Sequence, residues 1–254
     1  MNSLDFHSRR GLALQVPAVL MGLAVALLAS CGPAPTPVGI SDPNEAKNRA
    51  FHEFNVDLDH TLVRPIAKGV DKAVPDPVSI GITNFAGNLN LPGTVVNDLL
   101  QIKLGKAVEN TLRFALNTTI GIGGIFDPAS KLGVPGKSTD FGETLHVWGM
   151  PEGNYIELPV LGPSTDRDML GDLVDYAMNP LRVLVPPSKA YIGTLAKVAA
   201  KISDRGRYSA TVDSILYESA DGYAQARILY LEHRRYQLGQ VPSDDSFEDP
   251  YANQ

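Results

Sequence analysis

The residues of this sequence that could carry chemistry do not fall into a catalytic pattern. Gly136-Lys137-Ser138 looks like the end of a phosphate-binding loop, but Lys131 stands where that motif needs a glycine. His52-Glu53 begins a zinc-protease pattern, yet no second histidine follows at the required spacing. The chain also lacks the Gly-x-Ser-x-Gly elbow of a lipase. We therefore expect no enzymatic activity, no metal and no cofactor.

Four aspartates in one stretch are the remaining candidates for a cation site. Asp166, Asp168, Asp172 and Asp175 stand at positions i, i+2, i+6 and i+9. On a helix this spacing spreads the carboxylates around the axis and does not gather them at one point. The spacing favours a solvated helical face over a cation site.

The single cysteine, Cys31, closes an N-terminal segment that is typical of an exported protein. Arg9 and Arg10 form a short basic end, and an apolar run from Gly11 to Leu28 follows, which is the order of a secretory signal peptide. The small residues that lead into Cys31 resemble the lipobox of bacterial lipoproteins. That resemblance implies cleavage after Ser30 and acylation of Cys31. The alternative is a small core residue or a chance cysteine.

The residues near the basic end and the residue after Cys31 indicate the export route and the destination. Ser8–Leu12 partly resembles a twin-arginine signal, but Ala13 stands where a second large apolar residue is usual, so we expect ordinary secretory export. Gly32 follows Cys31, where an aspartate would signal inner-membrane retention in enteric bacteria. By that analogy the destination is the outer membrane, where three acyl chains would hold the protein almost permanently.

Composition excludes several classes of partner. Without residues 1–30 the chain has 254 − 30 = 224 residues, with 20 Lys and Arg against 27 Asp and Glu, a net charge of −7. No basic block exists, so nucleic acid is not an expected partner. A lone acylated cysteine leaves none for a disulfide. No run of 18 apolar residues follows Cys31, so we expect no transmembrane helix.

The chain divides into four parts. Residues 1–30 are the signal peptide, and residues 31–41 are the lipidated cysteine and a proline-rich tether with no expected capacity to pack. Residues 42–239 form the body. Residues 240–254 are acidic, poor in apolar residues and expected to be disordered.

Apolar residues at four-residue spacing predict that the body is helical. The first helix is expected to begin with Asp42 as its N-cap and to stop near Arg64, because Pro65 disfavours helical geometry in the preceding residue. The spacing is clearest over Gly105–Asn117. Further helices are expected after Pro65 to about Val74, at 77–91, 92–101 and 138–148, from Ser164 with apolar residues through Ala177, and at 188–203 and 207–238, the last interrupted near Asp221-Gly222.

Glycine and proline interrupt the helical pattern in two places. Residues 118–136 are apolar and rich in glycine, and they predict a close backbone crossing or a mobile apolar loop. Residues 149–154 are a turn cluster. Tyr155–Pro159 alternates briefly, but Pro159 and Pro163 argue against a central strand. The fold class predicted is all-α.

Motifs along nearly the whole body resemble the MlaA (VacJ) family of outer-membrane lipoproteins. The match covers about Asp42 to Tyr236 and departs from the usual pattern at Ile102 and His146, where glycine is common. The residues that carry it are Asp42-Pro43, Asn48-Arg49, Phe54-Asn55, Asn84-Phe85, Asn88-Leu89, Asn97, Leu100-Gln101, Arg113-Phe114, Asn117-Thr118, Gly121, Gly124, Asp127, Asp140-Phe141-Gly142, Trp148-Gly149, Gly153, Tyr155, Leu161-Gly162-Pro163-Ser164 and Arg167-Asp168.

The resemblance implies both a fold and a function. The family's body is a ring of amphipathic helices with a central channel, embedded in the outer membrane from the periplasmic side. It removes mislocalised phospholipids from the outer leaflet and passes them to a periplasmic carrier of the same pathway. It usually associates with trimeric porins. The family's dynamic hairpin would fall around Gly149–Tyr155, with Gly149 and Gly153 as the flexible points.

Five residues are candidates for contact with lipid in such a channel. They are Asn84, Phe85, Asn88, Asn117 and Lys189. Asn84 with Phe85 is the first choice, because asparagine is unfavourable in the middle of a helix. Each asparagine has an alternative role as a helix cap or turn residue. Lys189 has an alternative role as a solvated lysine at a helix start.

Two other functions remain open on the sequence alone. A structural lipoprotein that scaffolds envelope proteins would share the anchor and the helical body. A phospholipid hydrolase would need a constellation of residues that the known motifs do not show. A scaffold predicts that replacing Asn84 or Phe85 leaves lipid asymmetry intact, and a hydrolase predicts release of fatty acid from phospholipid.

Overall fold

The computed structural model describes residues 32–181 and 186–240 and confirms the all-α class. Its helices are α1 (Glu45–Leu58), α2 (Arg64–Ala73), α3 (Asp76–Asn88), α4 (Leu91–Leu100), α5 (Leu104–Thr119), α6 (Pro128–Lys131), α7 (Phe141–Val147), α8 (Asp166–Met178), α9 (Ala190–Arg207), α10 (Ser209–Asp213) and α11 (Gly222–Gln237). The signal peptide, the anchor Cys31 and residues 241–254 of the predicted tail lie outside the described residues.

Short irregular elements join these helices. Two π-helical segments, Asp59–Val63 and Ser214–Glu218, and one 3₁₀ turn, Pro187–Lys189, lie between helices. Two strands, β1 (Tyr155–Leu158) and β2 (Gly162–Thr165), pair antiparallel as one hairpin. Among the described helices, none is long and apolar enough to cross a bilayer.

The predicted helix end near Arg64 is wrong. α1 runs through the first π-helical segment into α2, and the backbone stays helical at both junctions. In a π-helical turn each backbone hydrogen bond joins residues five apart, whereas in an α-helix it joins residues four apart. Pro65, which has no N–H to donate, falls in the first turn of α2 directly after this segment, where its missing donor is tolerated.

The predicted N-cap role of Asp42 is also wrong. α1 begins at Glu45, and the residue before it, Asn44, makes no side-chain cap. The Asp42 carboxylate instead accepts hydrogen bonds from Asn48 Nδ2 at 2.8 Å, from Arg227 Nη1 at 2.5 Å and from the Tyr223 hydroxyl. This aspartate therefore joins the start of the body to the first half of α11, which is the last helix of the body.

The proline-rich segment before α1 packs against the body, contrary to the expected free tether. Ala34 is buried, and its N–H donates to the carbonyl of His146 at 2.9 Å. The Arg235 side chain donates to the Gly39 carbonyl, and the Tyr155 N–H donates to the carbonyl of Ser41. An extended segment makes no internal hydrogen bonds, so its backbone groups remain free for such contacts.

The elements contact one another in a closed circuit, which gives the body its ring shape. Along this circuit α1 contacts β1, and β2 contacts α8. The order then continues through α7, α4, α5, α3, α9 and α2, which leads back into α1 through the first π-helical segment.

Several helices in this ring bury polar residues and expose apolar ones. On α5, Asn110 and Asn117 are buried, whereas Leu104, Val108 and Leu112 are 61%, 69% and 47% exposed. A helix of a water-soluble protein normally turns its apolar stripe toward the core. The apolar stripe that predicted α5 from the sequence therefore faces outward.

α1 shows the same inversion, and the hairpin side of the ring differs. Asn48 and His52 are the buried residues of α1, while Phe54 on its predicted apolar stripe is exposed. Beside the hairpin, Tyr155, Tyr223 and Leu231 form a buried apolar cluster. The Tyr155 and Tyr223 rings meet edge to face at 5.9 Å between centroids.

Candidate functional site

A polar cavity of about 270 Å³ lies inside the body, between α3, α4, α5 and the segment 127–138. The side chains and backbone that line it are mostly amides, hydroxyls and charged groups. The lining residues are Thr83, Asn84, Gly87, Asn88, Asn90, Leu91, Thr94, Asn110, Arg113, Asn117, Asp127, Pro135, Gly136, Lys137 and Ser138.

Three of the five predicted lipid-contact residues line this cavity, and each also holds the backbone around it. Asn84 Nδ2 donates to the carbonyl of Ile125 at 3.2 Å. Asn88 Nδ2 donates to Thr118 Oγ1 and to the carbonyl of Gly123. Asn117 Nδ2 donates to Asp127 Oδ1 at 3.0 Å, and its oxygen accepts from the N–H of Ala129. Their amides fasten the glycine-rich segment over α3 and α5.

The glycine-rich segment is a close backbone crossing, one of the two alternatives expected from its sequence. A Cβ added to Gly124 would lie 2.4 Å from Asn88 Cβ, and one added to Gly121 would lie 2.4 Å from the Phe126 carbonyl oxygen. Gly124 also has a φ of +98°, which L-residues rarely adopt. Glycine at these positions lets the segment lie against α3 and α5.

Asn110 is the main lining residue that the sequence reasoning missed. It is fully buried, and its Nδ2 donates to Asp98 Oδ2 at 2.7 Å and to the Lys137 carbonyl at 3.2 Å. Burial raises the pKa of the Asp98 carboxyl, although the hydrogen bond from Asn110 opposes this. Asn110, Arg113 and Asn117 share one face of α5 at i, i+3 and i+7, and this polar stripe was the available signal.

An ion pair closes the far side of the cavity. Arg113 Nη2 lies 2.5 Å from Asp127 Oδ2, and Arg113 Nη1 donates to Ser130 Oγ and to the Val134 carbonyl. Asp127 caps α6 by accepting from the N–H of Ser130. Burial alone would raise the pKa of Asp127, but the hydrogen bonds from Ser130, Arg113 and Asn117 hold it below its ordinary value.

Three polar oxygens on lining residues are buried without a partner among the described residues. They are Thr83 Oγ1, Asn88 Oδ1 and Asn110 Oδ1. Both amides have already committed their Nδ2 groups, so their oxygens are fixed as acceptors. None of the three oxygens is exposed to the cavity, so they are unpaired groups within the packing and not contacts for a guest. The arrangement suits binding of a polar group more than bond breaking.

We compared the chain with known protein families, curated proteins and solved structures. A family model described as MlaA lipoprotein matches residues 40–237. The chain belongs to the MlaA lipoprotein family. It is 34% identical over 223 residues to the intermembrane phospholipid transport system lipoprotein MlaA of Escherichia coli (strain K12), which covers 85% of this chain and 86% of the relative.

Two further matches agree with this family. The MlaA of Haemophilus influenzae, with the same description, is 30% identical over 218 residues, covering 82% of this chain and 85% of the relative. An uncharacterised protein of Rickettsia felis is 36% identical over 189 residues, 74% of each chain. A solved structure from work on the structural basis for maintenance of bacterial outer membrane lipid asymmetry matches with a TM-score of 0.68 and 31% identity. It covers 78% of this chain and 99% of that one.

Two of the channel residues expected from the MlaA resemblance do not line the cavity. Phe85 is half-buried on α3 and is not among the lining residues. Lys189 is exposed at the end of the 3₁₀ turn, also apart from the cavity lining. Their contact with lipid stays a prediction.

The expected hairpin of the MlaA family does not coincide with residues 149–155 in this structure. The hairpin strands are β1 and β2, and residues 149–154 form the irregular segment before them. Gly149 and Gly153 have φ values of +89° and +78°, which explains the glycines. Glu152 between them is buried and paired with Arg235 Nη2 at 2.7 Å, which ties the segment to α11. A hinge role for the two glycines stays a prediction.

The solvated face expected for the aspartates of α8 is wrong for Asp168 and Asp175, whereas Asp172 is exposed as expected. Asp168 is buried, accepting from Tyr230 Oη at 2.8 Å and from Arg234 Nη2 at 2.9 Å. Asp175 accepts from Asn97 Nδ2 and from the Phe141 N–H. α8 turns apolar residues outward as α5 does, so these carboxylates point into the body. Within the described ranges no cluster of acidic, histidine or cysteine side chains fits a metal ion.

Proposed function

We propose that this chain is the outer-membrane lipoprotein of an intermembrane phospholipid transport system. In this role it removes mislocalised phospholipids from the outer leaflet and passes them to a periplasmic carrier, which maintains lipid asymmetry. The family membership and the descriptions of the relatives support the proposal. The acylated anchor at Cys31, the periplasmic carrier and a trimeric porin partner are carried over from the family resemblance.

The observation that carries the proposal is the polar cavity inside a body whose apolar side chains face outward. A phospholipid has a polar headgroup and apolar tails, so a passage for it needs a surface of each kind. Asn84, Asn88 and Asn117 line the polar interior, whereas Leu104 and Val108 lie on the outer face of α5. These surfaces lie on opposite sides of the same few helices.

The size of the cavity suits the headgroup alone. Pockets that enclose small molecules usually measure about 300–1,000 Å³. At about 270 Å³ this partly open cavity has room for a headgroup, with the acyl chains extending outside it. Lys137 brings a positive charge to the lining, whereas the charge of Arg113 is paired with Asp127.

The outward apolar faces also support a place in the membrane. Helices with one apolar face lie in the interface plane with that face among the acyl chains. Such a body, held beside an acylated Cys31, would sit in the inner leaflet of the outer membrane, on its periplasmic side. This arrangement needs no helix that spans the bilayer.

A side chain placed in the cavity tests the proposal. Gly87 lines the cavity, and a Cβ added there meets no atom within 4 Å, so Gly87→Leu should fold and obstruct the passage. Gly69→Leu is the matched control, because Gly69 is also helical, exposed and open. In a deletion strain we expect only Gly69→Leu to restore low outer-leaflet phospholipid, measured by palmitoylation of surface lipid A or by detergent sensitivity.

The same experiment separates the alternatives. A scaffold predicts that both glycine variants complement fully, as long as immunoblots show equal protein in the outer membrane. Unchanged surface lipid in the clean deletion would refute a transport role. A hydrolase predicts fatty-acid release when the purified protein is incubated with labelled phospholipid, and a lipid channel predicts none.

A further inference from the structure

Ile102, in the turn between α4 and α5, combines two unfavourable features. Its φ is +59°, in the left-handed region where a β-branched residue is a genuine outlier. Its side chain is 78% exposed. Glycine would remove both the backbone strain and the exposed apolar surface. Neither the backbone nor the packing of this chain explains an isoleucine here.

The side chains around Ile102 are also apolar and exposed. Leu99 and Leu104 flank the turn, and Trp148 of the next segment reaches it by donating Nε1–H to the Leu100 carbonyl at 3.2 Å. Trp148 is 43% exposed, with its ring edge to face on Phe141. We call Leu99, Ile102, Leu104 and Trp148 the Ile102 wedge.

The charge nearest the wedge is neutralised. Lys103 follows Ile102 in sequence, and its Nζ lies 2.7 Å from Glu143 Oε1 on α7. The wedge therefore presents apolar side chains with a tryptophan whose N–H is already bonded. Tryptophan with an apolar body and a satisfied polar end is typical of the boundary between headgroups and hydrocarbon.

The start of the body lies near the wedge. The Ala34 N–H donates to the carbonyl of His146, two residues before Trp148. The three residues from Cys31 to Ala34 span at most about 11 Å when fully extended. An acylated Cys31 would thus enter the bilayer close to the wedge.

We infer that the Ile102 wedge inserts among the acyl chains of the bilayer next to the lipidated Cys31. Hydrocarbon around Ile102 removes the cost of its exposed side chain, which offsets the strained backbone. The inference rests on the proposed attachment to the membrane, and it names the turn that enters deepest beside the anchor. The occupant is lipid hydrocarbon and not another protein.

The only tryptophan of the chain reports on this directly. Full-length lipidated protein is reconstituted in phosphatidylcholine vesicles, with and without bromine on the acyl chains, and Trp148 fluorescence is recorded. We expect strong quenching by brominated lipid and weak quenching by acrylamide in the water. Ile102→Asn, which tolerates the left-handed backbone but is polar, should lose at least about half of the lipid quenching.

Two further variants separate insertion from a structural role. Ile102→Gly relieves the strained φ, so its unfolding midpoint in detergent should rise while its lipid quenching falls. A structural role for the side chain predicts that both fall together. Val160→Asn is the matched control, because Val160 is also β-branched, left-handed and exposed, at the hairpin tip. It should leave Trp148 quenching unchanged.

Flotation of the same vesicles distinguishes failure of the inference from failure of the proposed function. Protein that floats with vesicles while Trp148 responds only to acrylamide overturns the wedge, leaves membrane attachment intact and makes a protein partner the occupant. Protein that does not float overturns the attachment and the wedge together. The Gly87→Leu complementation measures transport independently of either result.

Discussion

α5 and α11 are both amphipathic helices of one ring, and they are stabilised in opposite ways. α11 buries Tyr223 and Leu231 in an apolar cluster with Tyr155, as a helix in water would. α5 buries Asn110 and Asn117 around a cavity and leaves its leucines outside. The comparison shows that a single chain can contain a conventional core and an inverted one when only part of its surface faces water.

The two helices also differ in the kind of contact that holds their buried polar groups. Arg234 and Arg235 of α11 are buried and make short ion pairs with Asp140, Asp168 and Glu152, which we call the clamp. Asn110 of α5 donates hydrogen bonds to Asp98 and to the Lys137 carbonyl. Charge pairs therefore hold the α11 side, whereas the hydrogen bonds of an amide hold α5.

The largest effect is expected from opening the clamp with Arg234→Met. The substitution removes the shorter of the two arginine contacts of buried Asp168 and leaves only that of Arg167 Nε at 3.4 Å, and loss of one partner from a buried pair costs about 3–5 kcal/mol. Urea unfolding in mild detergent, followed by Trp148 fluorescence, measures this. Arg207→Met, at an exposed arginine on α9, is the control and should change little. Equal midpoints for the two variants would show that the clamp is not stabilising.

The clamp also sets a pH dependence. Burial alone would raise the pKa of Asp168, but the charge and hydrogen bonds of Arg234, with the charge of Arg167 and the hydroxyl of Tyr230, hold it below its ordinary value. This contribution to stability is present above the unfolded pKa of about 3.9 and is lost as the pH falls through the folded value. The gap between wild type and Arg234→Met should therefore narrow between pH 6 and pH 3.

The next effect is expected inside the cavity, from Asn110→Leu. The apolar side chain removes the hydrogen bond to Asp98 and leaves that carboxylate without this donor, at a cost of about 1–3 kcal/mol. The loss should appear in the same detergent unfolding experiment. A more stable variant would mean that the interior of α5 prefers apolar residues, and the inverted description of this helix would be wrong.

Asp98 should respond to pH with the sign opposite to Asp168. Burial raises its folded pKa, so the carboxyl penalises the folded state increasingly as the pH rises from about 3.9 through the folded value. Asp98→Asn keeps an acceptor for Asn110 and removes the charge. We expect it to stabilise the protein more at pH 7 than at pH 4. A pH-independent difference between variant and wild type would contradict the buried, unpaired character of this carboxyl.

The smallest effect on folding is expected on the outer face, from Leu112→Asn. Leu112 is exposed, so its loss should leave detergent unfolding nearly unchanged. In vesicles, the lost apolar area should weaken membrane association by about 1 kcal/mol, roughly fivefold in partition coefficient. Vesicle flotation gives this number. Leu112→Asn and Asn110→Leu are opposite substitutions on the exposed and buried faces of α5, two residues apart. If both destabilised the protein equally in detergent, the two faces would not differ as described.

The sequence was sufficient for much of the fold because helix signals are local. The spacing of apolar residues and the prolines placed the ends of α3, α4 and α5 within three residues, and the interruption before Gly222 was also found. It failed at Pro65 and Asp42, because a π-helical segment and a partner on α11 replaced the local rules. The proline-rich tether packed because its carbonyls met side chains distant in sequence.

The candidate site was only half predictable. Asn84, Asn88 and Asn117 were named from the family pattern and line the cavity, but Asn110 was not named although it lies deeper. The signal for Asn110 was the polar stripe of α5. It was overlooked because the apolar stripe of the same helix was taken to be the buried face. The aspartates of α8 were assigned to solvent for the same reason, because a polar face is normally the wet one.

By itself the sequence determined which residues share a helical face, the family and the segment expected to anchor the chain. A period of 3.6 residues fixes the angle between side chains whatever surrounds the helix. Only the tertiary structure decided which face of α5 points inward, since that depends on whether the medium outside is water or hydrocarbon. It also decided that the Ala34 N–H binds the His146 carbonyl, two residues before Trp148, which brings the start of the body to the segment that holds this tryptophan. Contacts between residues so far apart in sequence follow from the closed ring, and no local pattern contains them.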